Sequence, residues 1–264
     1  MTVSKRRVRA IFRKELREYR RNRSLTVGMA IIPALFCVQP LVEVFGLHSS
    51  ASAPLSHEHV LLYMLGIPAL VPSFVAAYSV VGERQQGTLE PVLTTPIRRE
   101  ELLLGKALAA LLPSIAVAYV VYGLFLACVE LWALPAVASA LIRLPDLLAQ
   151  LFFTPLLAGW SIWIAILIST RSSDVRVAQQ LASLASLPSV AVTTLVALNV
   201  IKASLVTALV AAAALLLLNR IGWSFVSATF DRERLITLDH SPGEVARPSW
   251  RLMRLVDLDF RPGI

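Results

Sequence analysis

The chain has 264 residues, of which 56% are hydrophobic and only 16% charged, with a mean hydropathy of +0.69. This balance excludes an ordinary soluble domain and reads as a membrane chain. The net charge of +8 does not indicate nucleic-acid binding: the basic residues flank apolar runs instead of interleaving with aromatics on a soluble face, so membrane lipids are the expected counter-charge.

Residues 1–24 are polar and basic. Val8, Ile11, Phe12, Leu16 and Tyr19 share one helical stripe, and Arg6, Arg9, Arg13, Arg17 and Arg20 another. The pattern predicts a helix on the cytoplasmic membrane surface, apolar face inward, basic face among anionic headgroups. No small-residue cleavage pattern follows, so the first apolar run is expected to stay in the protein.

Six runs are long and apolar enough to cross a bilayer, given that about 20 helical residues rising ~1.5 Å each cover a hydrocarbon core of ~30 Å. They are residues 25–45, 60–81, 108–131, 147–168, 177–198 and 204–221, the last being the shortest. Continuous apolarity favours helices over barrel strands, which alternate with a period of two. Between runs one and two, residues 46–59 are polar and small. Residues 130–146 carry Trp132, Pro135 and Pro145, which predicts a short re-entrant or interfacial piece. Residues 199–202 leave room only for a tight turn, so runs five and six are expected to pair as a hairpin. Residues 223–264 read as a cytoplasmic tail, with a Ser241-Pro242-Gly243 breaker. Cys37 and Cys128 lie inside apolar runs and imply no disulfide framework.

Orientation follows from the cations. Ten Lys and Arg precede the first run, four lie between runs two and three, two between four and five, and seven from Arg220 onward. The other side carries only Arg143 and Lys202. The positive-inside rule then places both termini in the cytoplasm. The fold expectation is an all-α membrane protein with six spans, an N-terminal interfacial helix and a cytoplasmic segment, residues 83–106, between spans two and three.

That segment is the most informative part of the chain. Leu89, Val92 and Leu93 fall at i, i+3 and i+4, while Glu83, Arg84, Gln85, Gln86 and Glu90 point elsewhere. Gly87 permits a sharp change of chain direction, and Thr95-Pro96 has the form that opens a new helix. The pattern is helix, turn, short helix, turn, helix. A short crosswise helix at the base of two membrane helices suits the transfer of a push from a soluble partner, and the segment holds no residue set that does chemistry alone.

Glu83-Arg84-x-x-Gly87-Thr88-Leu89-Glu90-x-x-Leu93-x-Thr95-Pro96-x-Arg98-x-Glu100-x-Leu102-Leu103-x-Gly105-Lys106 resembles the loop after the second span in type-2, export-type ATP-binding-cassette transporter permeases. Lys14-Glu15-Leu16-Arg17-Glu18, followed by Arg21-Asn22-Arg23, is similar to their interfacial elbow helix. Gln85-Gln86 and Pro91 depart from the pattern. The resemblance implies a permease in a plasma (inner) membrane of bacterial type, working beside a second permease copy or paralogue and two cytoplasmic ATPase subunits. It also implies that the short helix is the coupling helix. Carried over, Glu83, Arg84, Gly87, Thr88, Leu89, Glu90 and Leu93 are contact candidates for the ATPase, with Thr95, Pro96 and Arg98 shaping the return.

No G-x-x-x-x-G-K-[ST] loop occurs, so no cofactor is expected in this chain, and ATP and Mg belong to the partner. Gln39, Glu43 and Glu130, toward the outer ends of spans one and three, are candidates for a pathway or gate because ionisable groups at membrane depth are costly. His57-Glu58-His59 offers metal-ligand types, but alternating spacing in a loop is a weak ligand pattern, and a solvated loop is the favoured reading. The leading expectation is export of a hydrophobic or amphipathic substrate. A non-transporting relay subunit and an integral membrane lipid-processing enzyme are the alternatives, the latter lacking clustered acids and histidines on one face.

Overall fold

The computed structural model describes residues 4–46, 59–88 and 97–229. Among these, all regular structure is helical: α1 (Lys5–Arg21), α2 (Arg23–Gly46), a 3₁₀ helix (Val60–Leu65), α3 (Gly66–Gln85), α4 (Arg99–Trp132), α5 (Pro135–Leu141), α6 (Leu144–Arg171), α7 (Val175–Ala197) and α8 (Leu205–Thr229). Among the described residues six helical segments are long and apolar enough to cross a membrane, the 3₁₀ helix and α3 together forming one of them.

The spans read from sequence correspond one to one with these helices, but the helices run further. Charged ends such as Glu83, Arg99 and Arg171 extend past the apolar core because backbone hydrogen bonding continues wherever no proline or glycine stops it. The sixth, expected as the shortest, reaches Thr229. Within residues 130–146 lies a short helix, α5, opened by Pro135 at its first turn.

Helix α3 is the centre. Some 83% of the apolar window that it forms with the 3₁₀ helix is buried, against 6% for α8. Small residues make this possible: Ala69, Ser73, Ala76, Ala77 and Ser79 are all buried, and they let α2, α4, α6 and α7 approach closely. The Ser169 hydroxyl of α6 accepts from the Val80 and Val81 N–H groups at 3.1 and 3.0 Å, a polar tie between the two most intimately packed helices. Pro33, Pro40, Pro72, Pro113, Pro155 and Pro188 lie inside helices, as membrane helices tolerate.

Helix α8 leans on α6, not on its chain neighbour α7. The expected hairpin of spans five and six is therefore not a packed pair. Asn219 explains the choice. Its Nδ2 donates to the Leu156 carbonyl at 2.9 Å, and Gly159 leaves the space its side chain fills, since a Cβ there would lie 2.4 Å from Asn219 Oδ1. Trp223 then packs edge-on against Trp163, ring centres 5.3 Å apart.

Cross-helix contacts sort the helix ends into two poles. One joins α1, the end of α3, the start of α4 and the α6–α7 turn. At the other, His59 Nδ1 meets Asp146 Oδ1 at 2.8 Å and the His59 N–H donates to the Ala197 carbonyl.

Candidate functional site

The first pole holds most of the residues singled out from the sequence. Helix α3 ends in a Schellman motif: the Thr88 N–H donates to the Glu83 carbonyl at 2.9 Å and the Gly87 N–H to that of Arg84 at 3.1 Å. The reversal requires Gly87 in the left-handed region, φ +65°, where a side chain would cost energy. The chain therefore turns sharply at Gly87. It re-enters at Arg98, the N-cap of α4, where Glu101 reaches back to accept from the Arg98 N–H at 3.2 Å.

Behind this turn lies a closed ring of four alternating charges. Lys106 Nζ, fully buried, donates to Glu15 Oε1 at 3.0 Å and to the Ser79 carbonyl at 2.6 Å, and pairs with Glu83 Oε2 at 2.7 Å. Lys14 Nζ completes the ring by bonding Glu83 Oε1 and lying 3.2 Å from Glu15 Oε1, with Glu18 3.4 Å away. Three helices are thereby joined: α1 through Lys14 and Glu15, α3 through Glu83, α4 through Lys106. Buried charges of this kind persist only when paired and hydrogen-bonded.

The electrostatics follow from that crowding. Burial raises the Glu15 carboxyl above the ordinary carboxylate range, against the pull of Lys106. Burial also opposes the charge on Lys14, but the carboxylates of Glu15, Glu83 and Glu18 outweigh it and raise its pKa. Burial likewise pushes the Tyr19 hydroxyl well up, keeping it neutral beside the ring.

Two further ties fix the pole. Glu101 Oε1 accepts from the Ser4 N–H at 2.8 Å and its Oε2 from Arg7 Nη1 at 3.3 Å, fastening the start of α1 to the start of α4. Gly105 lets the helices touch between these points: a Cβ there would sit 2.6 Å from Ile11 Cγ2. Arg84 donates to the Ser172 carbonyl at 2.9 Å and the Thr170 carbonyl at 3.3 Å, a cation at the C-terminus of α6 where the helix dipole favours it. Gln85 reaches Asp174 Oδ2 at 3.4 Å. Asp174 itself caps α7, accepting from the Arg176 and Val177 N–H groups at 2.7 and 3.1 Å, and donation from Val177 first among these bonds holds its carboxyl below the usual range.

Of the residues picked from sequence, Gly87, Thr88 and Arg98 are exposed, at the end of α3 and the start of α4. Arg84 is half-buried against α6, and Glu83 is buried in the ring at 1% exposure, behind the turn instead of on its surface. Leu89, Glu90, Leu93, Thr95 and Pro96 lie outside the described residues, as do His57 and Glu58. At the far pole Gln39 bonds Glu43 on one face of α2. Glu130 is not brought to them: it is exposed and lines a groove of about 300 Å³ with Pro135, Ala138 and Ile142.

The α1 stripe also differs from the expected lipid-facing one. Its Ile11 and Tyr19 are buried, with Glu15 between them, on a face of α1 that packs on protein, chiefly α4, while Val8, Phe12 and Leu16 are half-buried. The sequence reading gives Lys14, Glu15 and Lys106 a place in the resemblance but no role, and passes over Glu101. The signal was the spacing itself, since Glu15 falls at i+4 from Ile11 and i−4 from Tyr19, an acid inside an apolar stripe that needs a buried cation. Oxygens of Glu15, Glu18 and Glu83 come within 4.8 Å of one another, and Lys14 and Lys106 already occupy the space among them as ion-pair partners.

The family model described as ABC-2 type transporter matches residues 6–198, which takes in the whole pole from α1 through α7. No curated protein matches the chain.

Proposed function

The chain belongs to the ABC-2 type transporter family, and from that membership we propose that it is a permease subunit whose residues 83–98 seat on a separate cytoplasmic ATP-binding-cassette ATPase. On this reading two permease chains, identical or paralogous, pair in a plasma membrane with both termini cytoplasmic, and ATP-driven movement exports a hydrophobic or amphipathic substrate. ATP and Mg are held by the partner. Six helices with few internal polar residues make a poor closed pathway, which favours two copies lining one between them.

The observation that carries the proposal is the Glu83–Lys106 pair with its links to α1. A push on residues 89–96 reaches α3 and α4 at their first buried turns. The charge ring ties those turns to each other and to α1, so the three move as one body instead of splaying. Arg84 and Gln85 extend the same connection to α6 and α7. Glu83 serves as the anchor, and Gly87, Thr88, Leu89, Glu90, Leu93 and Arg98 supply the contact, with Thr95 and Pro96 shaping the return.

Co-purification tests this. The full chain, expressed with its ATPase, is expected to retain it through affinity purification, and Leu89→Asp or Gly87→Pro is expected to release it while the permease stays folded. Undiminished retention by both variants overturns the assignment of this segment.

A further inference from the structure

The corner between α1 and α2 borders an open groove of about 790 Å³, lined by Lys14, Arg17, Arg21, Arg23, Tyr78 of α3 and Gln86 just past its end. Lys14 is committed to the charge ring. Arg17, Arg21 and Arg23 are different: among the described residues none has an ion-pair or side-chain hydrogen-bond partner, and all three are exposed. Glu18 is the one acid in the lining, and Lys14 faces it at 3.4 Å. The groove is thus a concentration of unused guanidinium groups, whose planar donor forks match phosphate oxygens.

What continues from the groove identifies the ligand class. Arg23, Val27, Ile31 and Leu35 recur every four residues and so form one stripe of α2. Val27, Ile31 and Leu35 are 53%, 52% and 65% exposed. A cationic groove therefore opens onto an outward apolar track at the level where the membrane-spanning part of α2 begins, the arrangement an anionic lipid needs for its two ends.

We propose that this groove binds an anionic phospholipid, its phosphate held by Arg17, Arg21 and Arg23 and an acyl chain lying on Val27, Ile31 and Leu35. Because Lys14 and Gln86 line the same groove, the bound headgroup borders both the charge ring and the end of α3. The proposal needs only that this corner sit at headgroup depth, and it stands or falls apart from ATPase docking.

The test reconstitutes the full chain in vesicles of phosphatidylcholine with an equal amount of phosphatidylglycerol and measures retained lipid by native mass spectrometry after extraction. The wild type is expected to keep phosphatidylglycerol in preference. The triple variant Arg17→Gln, Arg21→Gln, Arg23→Gln is expected to lose that preference by about tenfold or more, and Arg143→Gln with Lys202→Gln, at the opposite pole, to keep it. Unchanged preference in the triple variant, equal loss in the control, or displacement of the lipid by inorganic phosphate overturns the proposal. A second measurement needs no variant: phosphatidylglycerol with a photoreactive acyl chain is expected to label residues 27–35 of the wild type selectively, and labelling spread evenly over the exposed face of α8 refutes the site.

Discussion

Lys106 Nζ lies 2.7 Å from Glu83 Oε2, and the two residues stand on the helices that enter and leave residues 89–96. A loop that only joined two spans would not need its flanking turns locked by a buried ion pair. Removing two charges from water is expensive, and only close geometry with further hydrogen bonds recovers the cost. Here Glu15, Lys14 and the Ser79 carbonyl supply them.

Replacing Lys106 by Met is expected to destabilise the detergent-solubilised protein by about 3–5 kcal/mol, because Glu15 and Glu83 are left buried with only Lys14 between them. Adding Glu83→Gln to that variant is expected to restore much of the loss. Thermal unfolding of the wild type, the single variant and the double variant checks both; a double variant less stable than the single contradicts the ring.

Gly105 and Gly123 lie on the same helix and predict opposite outcomes. A Cβ at Gly105 meets Ile11 at 2.6 Å, whereas at Gly123 nothing lies within 4 Å. Gly105→Ala is expected to cost about 1–3 kcal/mol by forcing α1 off α4. Gly123→Ala is expected to be neutral or to gain up to about 1 kcal/mol from helix propensity. Denaturation in mild detergent measures the pair, and equal effects would contradict the close approach of α1.

The sequence made the six helices and the turn at Gly87 legible because each rests on a local cue: apolar run length, or a glycine at a helix end. Partner choice was not legible in the same way. Residues 199–202 are too few to hold a long connection, yet α8 packs on α6 because Asn219 fits beside Gly159, a match between residues far apart in the chain. Glu15 looked like part of a charged surface helix, and only its place between Ile11 and Tyr19 marked it as buried. Glu83, chosen as a surface contact, turns inward because Lys106 and Lys14 are both behind it.

Asp174 predicts an acid-dependent step. Its carboxyl is held below the usual range by the Val177, Arg176 and Gln85 donors, so the native state binds the proton less readily than the unfolded chain, whose value is about 3.9. The stabilisation is then present above that value and lost as pH falls through the lower native one. Asp174→Ala is expected to be less stable than wild type near neutrality, and the gap to close on acidification. Unfolding midpoints of the two proteins across that range check it; a gap independent of pH would contradict the cap.

Asn219→Leu removes the hydrogen bond to the Leu156 carbonyl and is expected to loosen α8 from α6 by about 0.6–2 kcal/mol. Hydrogen exchange is expected to rise in residues 205–229 and to stay unchanged in α3. Faster exchange in α3 of the same size would mean that Asn219 supports the whole bundle.

The most direct test of the central claim is a photoreactive amino acid placed at Leu89 of the full chain, in cells that also make its ATPase. On illumination a cross-link is expected to a polypeptide that carries a G-x-x-x-x-G-K-[ST] loop, and none from the same probe at Lys202. No such product from Leu89, or an equal yield from Lys202, would contradict that claim.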